Sequence, residues 1–196
     1  DVLGSRGLGD VYKRQLYTEF CYNAIDKDVS VNAVHLPDIP EFFVEETTIM
    51  ATKITVIGAG SVGSAITNDI MVQGFASEIV LIDVNKEKAF GEALDIYQGV
   101  PFCSPAVVHA GDYPDAADSD IVIITSGLPR KPGQSRLELA QTNVDILKQI
   151  TPEIVRYAPN AIYIIVSNPV DVLTYVFTRI SGIPEEHIMG SGTVLD

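Results

Sequence analysis

Cysteine is scarce in this chain, and long apolar runs are missing. Only Cys21 and Cys103 occur among 196 residues, which excludes a disulfide framework and gives no metal-ligand spacing. We therefore predict no metal site and a reducing, cytoplasmic compartment. The longest apolar runs, such as 121–124 and 161–166, are far shorter than the roughly 20 residues that cross a membrane. Residues 1–49 contain no sustained apolar segment of the kind that a secretory signal requires.

Positive charge is scarce as well. The 13 lysines and arginines are outnumbered by 26 acidic residues, so the formal net charge is −13. No run of cations occurs, and a chain with this balance repels a phosphate backbone, so we expect no nucleic acid partner and, given the short apolar runs, no membrane. Hydrophobic residues make up 46% and charged residues 20%, which is typical of a domain with a buried core.

The first 49 residues differ from the rest of the chain. They show no clear period, whereas regular strand and helix signals begin after Met50. The hexapeptide DVYKRQ, residues 10–15, is the translation of GAT GTG TAT AAG AGA CAG, a transposase recognition end left in sequencing libraries. We therefore expect residues 1–15 to derive from an adapter, residues 16–49 from in-frame upstream translation, and the domain to begin at Met50. The alternative is a genuine, species-specific N-terminal extension.

From Lys53 onward, short apolar runs typical of buried parallel strands alternate with apolar residues at helical spacing. The helices are expected to stop at glycines, and Pro152 to kink or divide the longest helix, which begins near Leu137. Strands that alternate with helices predict an α/β fold with a doubly wound parallel sheet. The predicted strands span residues 53–57, 78–83, 106–110, 120–127, 161–169 and 187–192.

A glycine-rich turn, GAGSVG, follows the first predicted strand. Gly58 permits a tight turn, Gly60 lets the backbone approach a pyrophosphate, and Gly63 lets helix and strand pack closely. The N-terminus of the next helix offers N–H groups to the phosphates. Asp83, twenty positions after Gly63, is placed to accept hydrogen bonds from ribose hydroxyls and to repel a 2′-phosphate. These features predict NAD as the cofactor; the alternatives are an ordinary glycine turn and a helix N-cap role for Asp83.

Polar and cationic groups follow the fourth and fifth strands, where ligands bind in open parallel sheets. After strand four comes GLPRKPGQSR, residues 127–136, whose prolines and glycines predict a stiff flap between hinges. Arg130 and Arg136 are suited to clamp a carboxylate or to polarise a carbonyl oxygen. Asn168, after strand five, offers an amide that both donates and accepts. The alternatives are solvated surface cations, above all for Lys131, and an ordinary turn at Asn168.

Six segments together are similar to one enzyme family. They are ITVIGAGSVGSA, LIDVNKEKAFGEALDI, HAGDY, SGLPRKPGQSRLEL, VSNPVDVLTY and GSGTVLD, and in this order and spacing they resemble L-lactate/L-malate dehydrogenases. The resemblance covers Met50 to Asp196 almost continuously. It implies a Rossmann NAD-binding domain, here residues 50–196, that is followed by a catalytic domain in a homodimer or homotetramer. It also implies small 2-oxo and 2-hydroxy acids as substrates.

The resemblance implies roles for individual residues. Arg136 resembles the loop arginine that polarises the substrate carbonyl, and Asn168 resembles a substrate-binding amide. Asp196 is similar to the carboxylate that orients the catalytic histidine, and Arg130 occupies the position that contacts the substrate side chain. Together with Gly58, Gly60 and Gly63, the implied cofactor contacts are Val62, Asp83, Lys88, Tyr113, Gly127, Leu128, Gln149, Val166, Ser167, Asn168 and Ser191.

The sequence departs from the family pattern in two places. It ends within the family's LDSAR pattern, before the substrate-carboxylate arginine and the GEHGD histidine, and His35, His109 and His187 lack that context. Because carbonyl reduction needs a proton donor, we expect the catalytic domain to be missing and the 196-residue chain to bind NAD with negligible turnover. Arg130 is typical of malate-specific members, since it would pair with a second carboxylate, whereas HAGDY and GSGTVLD favour lactate.

The sequence therefore predicts the N-terminal fragment of an NAD-dependent L-2-hydroxyacid dehydrogenase. We prefer an L-lactate dehydrogenase, with an L-malate dehydrogenase as the alternative because of Arg130. A non-catalytic NAD-binding module is a further alternative, although such a module has no use for a carbonyl-polarising arginine. A short-chain dehydrogenase would carry a tyrosine–lysine pair four residues apart, and Tyr157 and Tyr175 have no lysine at that spacing.

Overall fold

The computed structural model describes residues 52–129, 133 and 135–192, which all lie in one compact unit spanning residues 51–196. The predictions for residues 1–49, Arg130 and Asp196 lie outside the described residues. The strands are β1 (Lys53–Ile57), β2 (Glu78–Ile82), β3 (Val107–Ala110), β4 (Ile121–Ile124), β5 (Ile162–Ile165) and β6 (Ile188–Gly190). The helices are α1 (Ser61–Gln73), α2 (Lys86–Tyr97), α3 (Arg136–Tyr157) and α4 (Val170–Ser181), with short 3-10 turns at Val100–Phe102, Tyr113–Ala116 and Glu185–His187.

The strands form one parallel sheet in the order β3-β2-β1-β4-β5-β6. The chain winds outward from β1 to β3, crosses back to place β4 beside β1, and then winds outward in the other direction. Helices α1 and α2 cover one face of the sheet, and α3 and α4 cover the other. This arrangement confirms the predicted doubly wound parallel sheet. The reversal between β1 and β4 opens a crevice at the carboxyl ends of the strands, where ligands bind in such folds.

Alternate side chains of the strands supply two cores, one on each face of the sheet. The strands are therefore apolar on both faces, as the short continuous apolar runs in the sequence indicate. The core beside α1 and α2 includes Ile54, Val56, Ile79, Leu81, Ile70, Met71, Ala89 and Ala93. The core beside α3 and α4 includes Ile57, Val80, Ile82, Tyr163, Leu147, Ile154, Leu173 and Phe177.

Tyr163 of β5 shows how a polar atom is accommodated in the second core. Its ring is fully buried and lies 4.8 Å, centroid to centroid, from the ring of Phe177. Its hydroxyl donates a hydrogen bond of 2.8 Å to the carbonyl of Ala158, the residue that follows α3. Burial raises the pKa of the Tyr163 phenol well above its ordinary value. The hydroxyl therefore stays protonated and ties the end of α3 to the sheet.

The prediction that Pro152 divides the long helix is wrong. Helix α3 runs without interruption for 22 residues, with Pro152 exposed in its C-terminal third. A proline removes one backbone hydrogen bond of the helix, but Ile150 and Ile154 on either side are both buried against the sheet. Their burial, roughly 1.5–3 kcal/mol for each side chain, offsets the cost of the lost hydrogen bond, so the helix continues past Pro152.

Among the helices in the described ranges, none combines the length and the apolar character that a membrane span requires. Within the same ranges, no group of three or more His, Cys, Asp or Glu side chains is arranged to hold a metal ion.

Candidate functional site

The glycine turn between β1 and α1 has a conformation that side chains at two of its positions would prevent. Gly58 has a φ of 114°, which a residue with a side chain rarely adopts, so it permits the sharp exit from β1. A Cβ on Gly63 would lie 1.8 Å from the carbonyl oxygen of Gly58, so only glycine lets the helix pack this closely on the turn. A Cβ on Gly60 would meet no atom within 4 Å. Gly60 therefore faces open space in which a ligand can approach the backbone.

The N-terminus of α1 lacks the groups that usually satisfy a helix start. Its N-cap is Gly60, which has no side chain, and its first turn contains no acidic residue. Among the four α-helices described here, α2 and α3 have side-chain caps from Asn85 and Ser135, and α4 has Asp171 in its first turn. The start of α1 therefore retains its partial positive charge and its N–H donors for an anion.

Asp83 connects the glycine turn to the end of β2. Its Oδ2 accepts a 2.7 Å hydrogen bond from the backbone N–H of Ala59, and its Oδ1 accepts a 2.8 Å bond from the N–H of Asn85. Each carboxylate oxygen still has a lone pair for a hydroxyl donor. The alternative of a helix N-cap role for Asp83 is wrong, because Asn85 caps α2 by accepting from the N–H of Lys88. Asp83 instead holds a negative charge beside the turn.

Hydroxyl groups cross-link the carboxyl ends of the central strands. The side chains of Thr125 and Ser126, directly after β4, both donate to the carbonyl of Ile57 at the end of β1, over 3.1 and 2.9 Å. Ser167, after β5, donates a 2.7 Å hydrogen bond to the carbonyl of Ser126. These bonds fix the loops that leave β4 and β5 relative to the glycine turn. They also place the predicted cofactor residue Ser167 at the mouth of the crevice.

The buried amide of Asn143 forms hydrogen bonds to the same two loops, those that follow β4 and β5. Asn143 of α3 is 2% exposed, and its Oδ1 accepts a 2.9 Å hydrogen bond from the N–H of Leu128. Its Nδ2 donates a 2.7 Å bond to the carbonyl of Asn168, the residue before a cis peptide bond to Pro169. Sequence reasoning missed Asn143, although a signal was present: it is a polar residue within the apolar stripe of a predicted helix.

Arg136 does not lie in the loop where the sequence analysis placed it. It is the first residue of α3, which begins there because Ser135 is the N-cap and Glu138 completes a capping box. Glu138 N–H donates to Ser135 Oγ over 3.2 Å, and Ser135 N–H donates to Glu138 Oε2 over 2.9 Å. The S-x-x-E signature is visible in the sequence and was overlooked. Arg136 is exposed, so the cap orders its backbone and leaves its guanidinium accessible.

The other implied cofactor residues lie on several elements around the crevice. Tyr113, in the 3-10 turn after β3, is half-buried; burial, followed by the charges of Glu153 and Asp83, raises the pKa of its phenol. Tyr113 packs against the core to which α3 contributes, and Gln149 lies on α3 one turn before Glu153. The remaining positions are Val62 in the first turn of α1, Lys88 in the first turn of α2, Gly127 after β4, Val166 directly after β5, and Ser191 directly after β6.

A family model described as the lactate/malate dehydrogenase NAD binding domain matches residues 52–190. The chain belongs to the lactate/malate dehydrogenase family. Membership confirms the resemblance seen in the six segments and NAD as the cofactor of this type of domain. It also rules out the short-chain dehydrogenase alternative. The family assignment makes NAD binding the function of this domain.

Several relatives within the family can be compared in detail. The chain is 57% identical over 145 residues to L-lactate dehydrogenase 1 of Clostridium acetobutylicum, and 53% identical over 144 residues to an L-lactate dehydrogenase of Clostridium perfringens. These matches cover 74% of this chain but only 46% and 45% of the relatives. The chain therefore spans about half the length of the curated relatives that it matches.

Solved structures of the family have the same fold. A minor L-lactate dehydrogenase from Enterococcus mundtii superposes with a TM-score of 0.72 at 42% identity, over 74% of this chain and 46% of that one. A malate dehydrogenase from Archaeoglobus fulgidus, solved in complex with NADH, gives a TM-score of 0.67 at 37% identity, over 71% of this chain and 48% of that one. Both lactate and malate enzymes thus share this domain.

Proposed function

We propose that the chain is the NAD-binding half of an NAD-dependent L-2-hydroxyacid dehydrogenase, and specifically of an L-lactate dehydrogenase that interconverts pyruvate plus NADH with L-lactate plus NAD. The observation that carries the proposal is the 2.7 Å hydrogen bond from Ala59 N–H to the Asp83 carboxylate. It links Asp83 to the glycine turn, beside the uncapped start of α1. This arrangement supports a ribose acceptor and a phosphate site side by side. The curated relatives named L-lactate dehydrogenase support the choice of reaction.

The residues present fit a dinucleotide. The open space at Gly60 accommodates a pyrophosphate against the backbone, and the N–H groups at the start of α1 neutralise its charge. Asp83 accepts from the adenosine ribose hydroxyls, and its charge excludes a 2′-phosphate, so NAD is preferred to NADP. When bound, the nicotinamide supplies the hydride for carbonyl reduction. Residues around the crevice complete the contacts: Gly58, Val62, Gly63, Lys88, Tyr113, Gly127, Leu128, Gln149, Val166, Ser167, Asn168 and Ser191.

The chain's own polar side chains prepare the substrate for reduction. Arg136, at the accessible start of α3, donates to the substrate carbonyl oxygen and stabilises the negative charge that develops there. Asn168 binds the substrate through its amide, from the turn after β5. Asp196 orients the histidine of the catalytic domain. The proton donor comes from the other half of the family's fold, which contains the GEHGD segment.

A second candidate, L-malate dehydrogenase, is favoured by one residue, Arg130. An arginine at the position that contacts the substrate side chain matches the second carboxylate of oxaloacetate better than the methyl group of pyruvate. A chimera of residues 50–196 with the remaining half of L-lactate dehydrogenase 1 of Clostridium acetobutylicum separates the two candidates. We expect a higher kcat/KM for pyruvate than for oxaloacetate. A strong preference for oxaloacetate, lost in an Arg130→Gln chimera, would establish the malate reaction instead.

Nucleotide binding itself is tested on the 196-residue chain by titration calorimetry with NADH and NADPH. We expect NADH to bind more tightly than NADPH, and Asp83→Asn to weaken NADH by about tenfold and to narrow the difference between the two nucleotides. The matched control is Asp95→Asn, an exposed carboxylate on α2, which should bind NADH like the parent chain. Absence of binding by either nucleotide would refute the proposed function.

We propose further that the complete enzyme is a cytoplasmic homo-oligomer, a homodimer or homotetramer, that acts on small 2-oxo and 2-hydroxy acids. The scarcity of cysteine supports a reducing compartment, and the acidic composition gives no reason to expect nucleic acid or membrane partners. Sedimentation velocity of the chimera measures the assembly directly. A monomer at micromolar concentration would contradict this part of the proposal.

A further inference from the structure

Asn143 is a polar residue at a core position of α3. It shares the buried face of the helix with Leu147, Ile150 and Ile154, and only 2% of its surface is exposed. An amide in such a place costs free energy unless its donors and acceptor are paired. The amide of Asn143 is tolerated in the core because specific partners satisfy its hydrogen bonds, and those partners indicate its role.

The partners of Asn143 are backbone groups of two different loops. Its Oδ1 accepts from Leu128 N–H over 2.9 Å, and its Nδ2 donates to the carbonyl of Asn168 over 2.7 Å, with a longer contact of 3.4 Å to the carbonyl of Leu128. Leu128 lies in the segment between β4 and α3, called the cationic loop below, and Asn168 lies in the turn after β5. A Cβ on Gly127 would lie 3.3 Å from Asn143 Nδ2, so the glycine leaves room for the amide at the backbone.

Two other polar side chains of α3 find their hydrogen-bond acceptors within the helix. Thr151, which is 1% exposed, donates to the carbonyl of Leu147 one turn earlier, and Thr142 donates in the same way to the carbonyl of Glu138. These bonds stay within the helix and fix nothing outside it. Asn143 is different because its two hydrogen bonds leave the helix and end on segments 15 and 25 positions away in the sequence.

We propose that Asn143 is a positioning residue for the nicotinamide and substrate side of the crevice. It holds the backbone of Leu128 and of Asn168 at a fixed separation, so that neither loop has to become ordered when a ligand binds. Asn143 acts through these two residues and contacts neither cofactor nor substrate itself. The adenosine side, formed by the glycine turn and Asp83, does not depend on it. This inference rests on the proposed function for its ligand, but its geometric part stands alone.

The geometric part is tested by amide hydrogen exchange of the 196-residue chain without nucleotide. Asn143→Leu removes both hydrogen bonds, and we expect exchange of the Leu128 amide to accelerate at least about tenfold. Asn143→Asp keeps the acceptor and the volume, so it should protect the Leu128 amide better than Asn143→Leu does. The control Thr151→Val loses a buried hydroxyl on the same helix and should leave this amide unchanged. Unchanged Leu128 exchange in Asn143→Leu would overturn the proposal.

The functional part is tested with two ligands, NADH and ADP, of which ADP reaches only the adenosine side. We expect Asn143→Leu to weaken NADH about tenfold while the affinity for ADP stays within about twofold of the parent chain. Equal losses for both ligands would show that Asn143 is merely structural and would overturn the proposal. If Asn143→Leu fails to fold, Asn143→Asp is measured instead, since it preserves the side-chain volume. If the parent chain binds neither ligand, the proposed function fails, while the exchange experiment still decides the role of Asn143.

Discussion

At the scale of single residues, two glycines of one turn serve different ends. A Cβ on Gly63 would collide with the carbonyl oxygen of Gly58, whereas a Cβ on Gly60 would point into open space. Packing therefore requires glycine at position 63, whereas it places no such requirement on position 60. Sequence comparison alone assigns both to one motif, and only the packing separates them.

The two glycines can be distinguished by experiment. We expect Gly63→Ala to lower the free energy of unfolding by about 1–3 kcal/mol, because backbone atoms must move to admit the methyl group. Gly60→Ala should cost at most about 1 kcal/mol as a poorer N-cap, yet weaken NADH binding at least about tenfold. Urea unfolding and NADH titration of both variants check this. Equal stability of the two variants would contradict the packing argument.

Glu78 is a second residue whose surroundings lead to a prediction. Its Oε1 lies 3.0 Å from Lys53 Nζ and 3.2 Å from His109 Nε2, so one carboxylate links β1, β2 and β3. Burial alone would raise the pKa of Glu78, but the hydrogen bonds from Lys53 and then His109 outweigh it and lower the pKa below its ordinary value. A carboxyl whose pKa is lower in the folded state stabilises the fold above its unfolded pKa. That contribution disappears as the pH falls through the folded pKa.

Glu78→Gln should therefore destabilise the chain more at about pH 6 than at about pH 3, because the stabilising charge of the parent carboxyl is progressively lost as the pH falls. Because Glu78 is part exposed, the difference in unfolding free energy at the higher pH should stay below about 1 kcal/mol. Urea unfolding at the two pH values measures it. The control is Glu92→Gln, since Glu92 lies in no ion pair within the described part of the chain. A constant difference at both pH values would refute the assignment.

At the scale of elements, the start of α3 determines where the cationic loop ends. The capping box of Ser135 and Glu138 begins the helix at Arg136, and the hydrogen bonds from Ser135 lower the pKa of the Glu138 carboxyl. The prolines and glycines of residues 127–136 favoured a single flap, whereas the capping signature at Ser135 and Glu138 begins a helix before that segment ends. Because the cap orders the backbone of Arg136, its guanidinium moves through rotation of the side chain alone.

Ser135→Ala should lower the free energy of unfolding by about 1 kcal/mol, the usual cost of a lost N-cap. It should also accelerate hydrogen exchange of the Glu138 amide, which donates to Ser135 Oγ. Ser61→Ala is the matched control, since Ser61 begins α1 without a side-chain cap. If Ser135→Ala matched Ser61→Ala in both measurements, the cap would have no energetic role.

At the scale of the whole molecule, the sequence predicted the sheet and the approximate position of every strand. Runs such as KITVI and IVII identify strands because burial on both faces demands apolar residues at each position. The bonds that assemble the site could not be predicted in the same way. Asp83 meets Ala59 across 24 positions, and Asn143 meets Asn168 across 25. Such contacts depend on how helices and strands are packed, and no local pattern encodes that.

The 196-residue chain should bind NADH yet show negligible reduction of pyruvate or oxaloacetate, because no GEHGD segment supplies a proton donor within it. Oxidation of NADH followed at its absorbance maximum measures the rate. The chimera described above serves as the positive control, because it restores the histidine-bearing half. Turnover by the chain alone at a rate comparable with that of the chimera would require a different proton donor.

The hydroxyls of Thr125, Ser126 and Ser167 have an electrostatic consequence for the crevice. Backbone carbonyls at the tips of β1 and β4 already accept hydrogen bonds from these side chains. The same carbonyl oxygens also accept from backbone N–H groups, so their lone pairs are engaged within the fold and fewer acceptors remain free at the carboxyl ends of the strands. In a protein with a formal charge of −13, this lowers the repulsion that an anion would meet at the crevice.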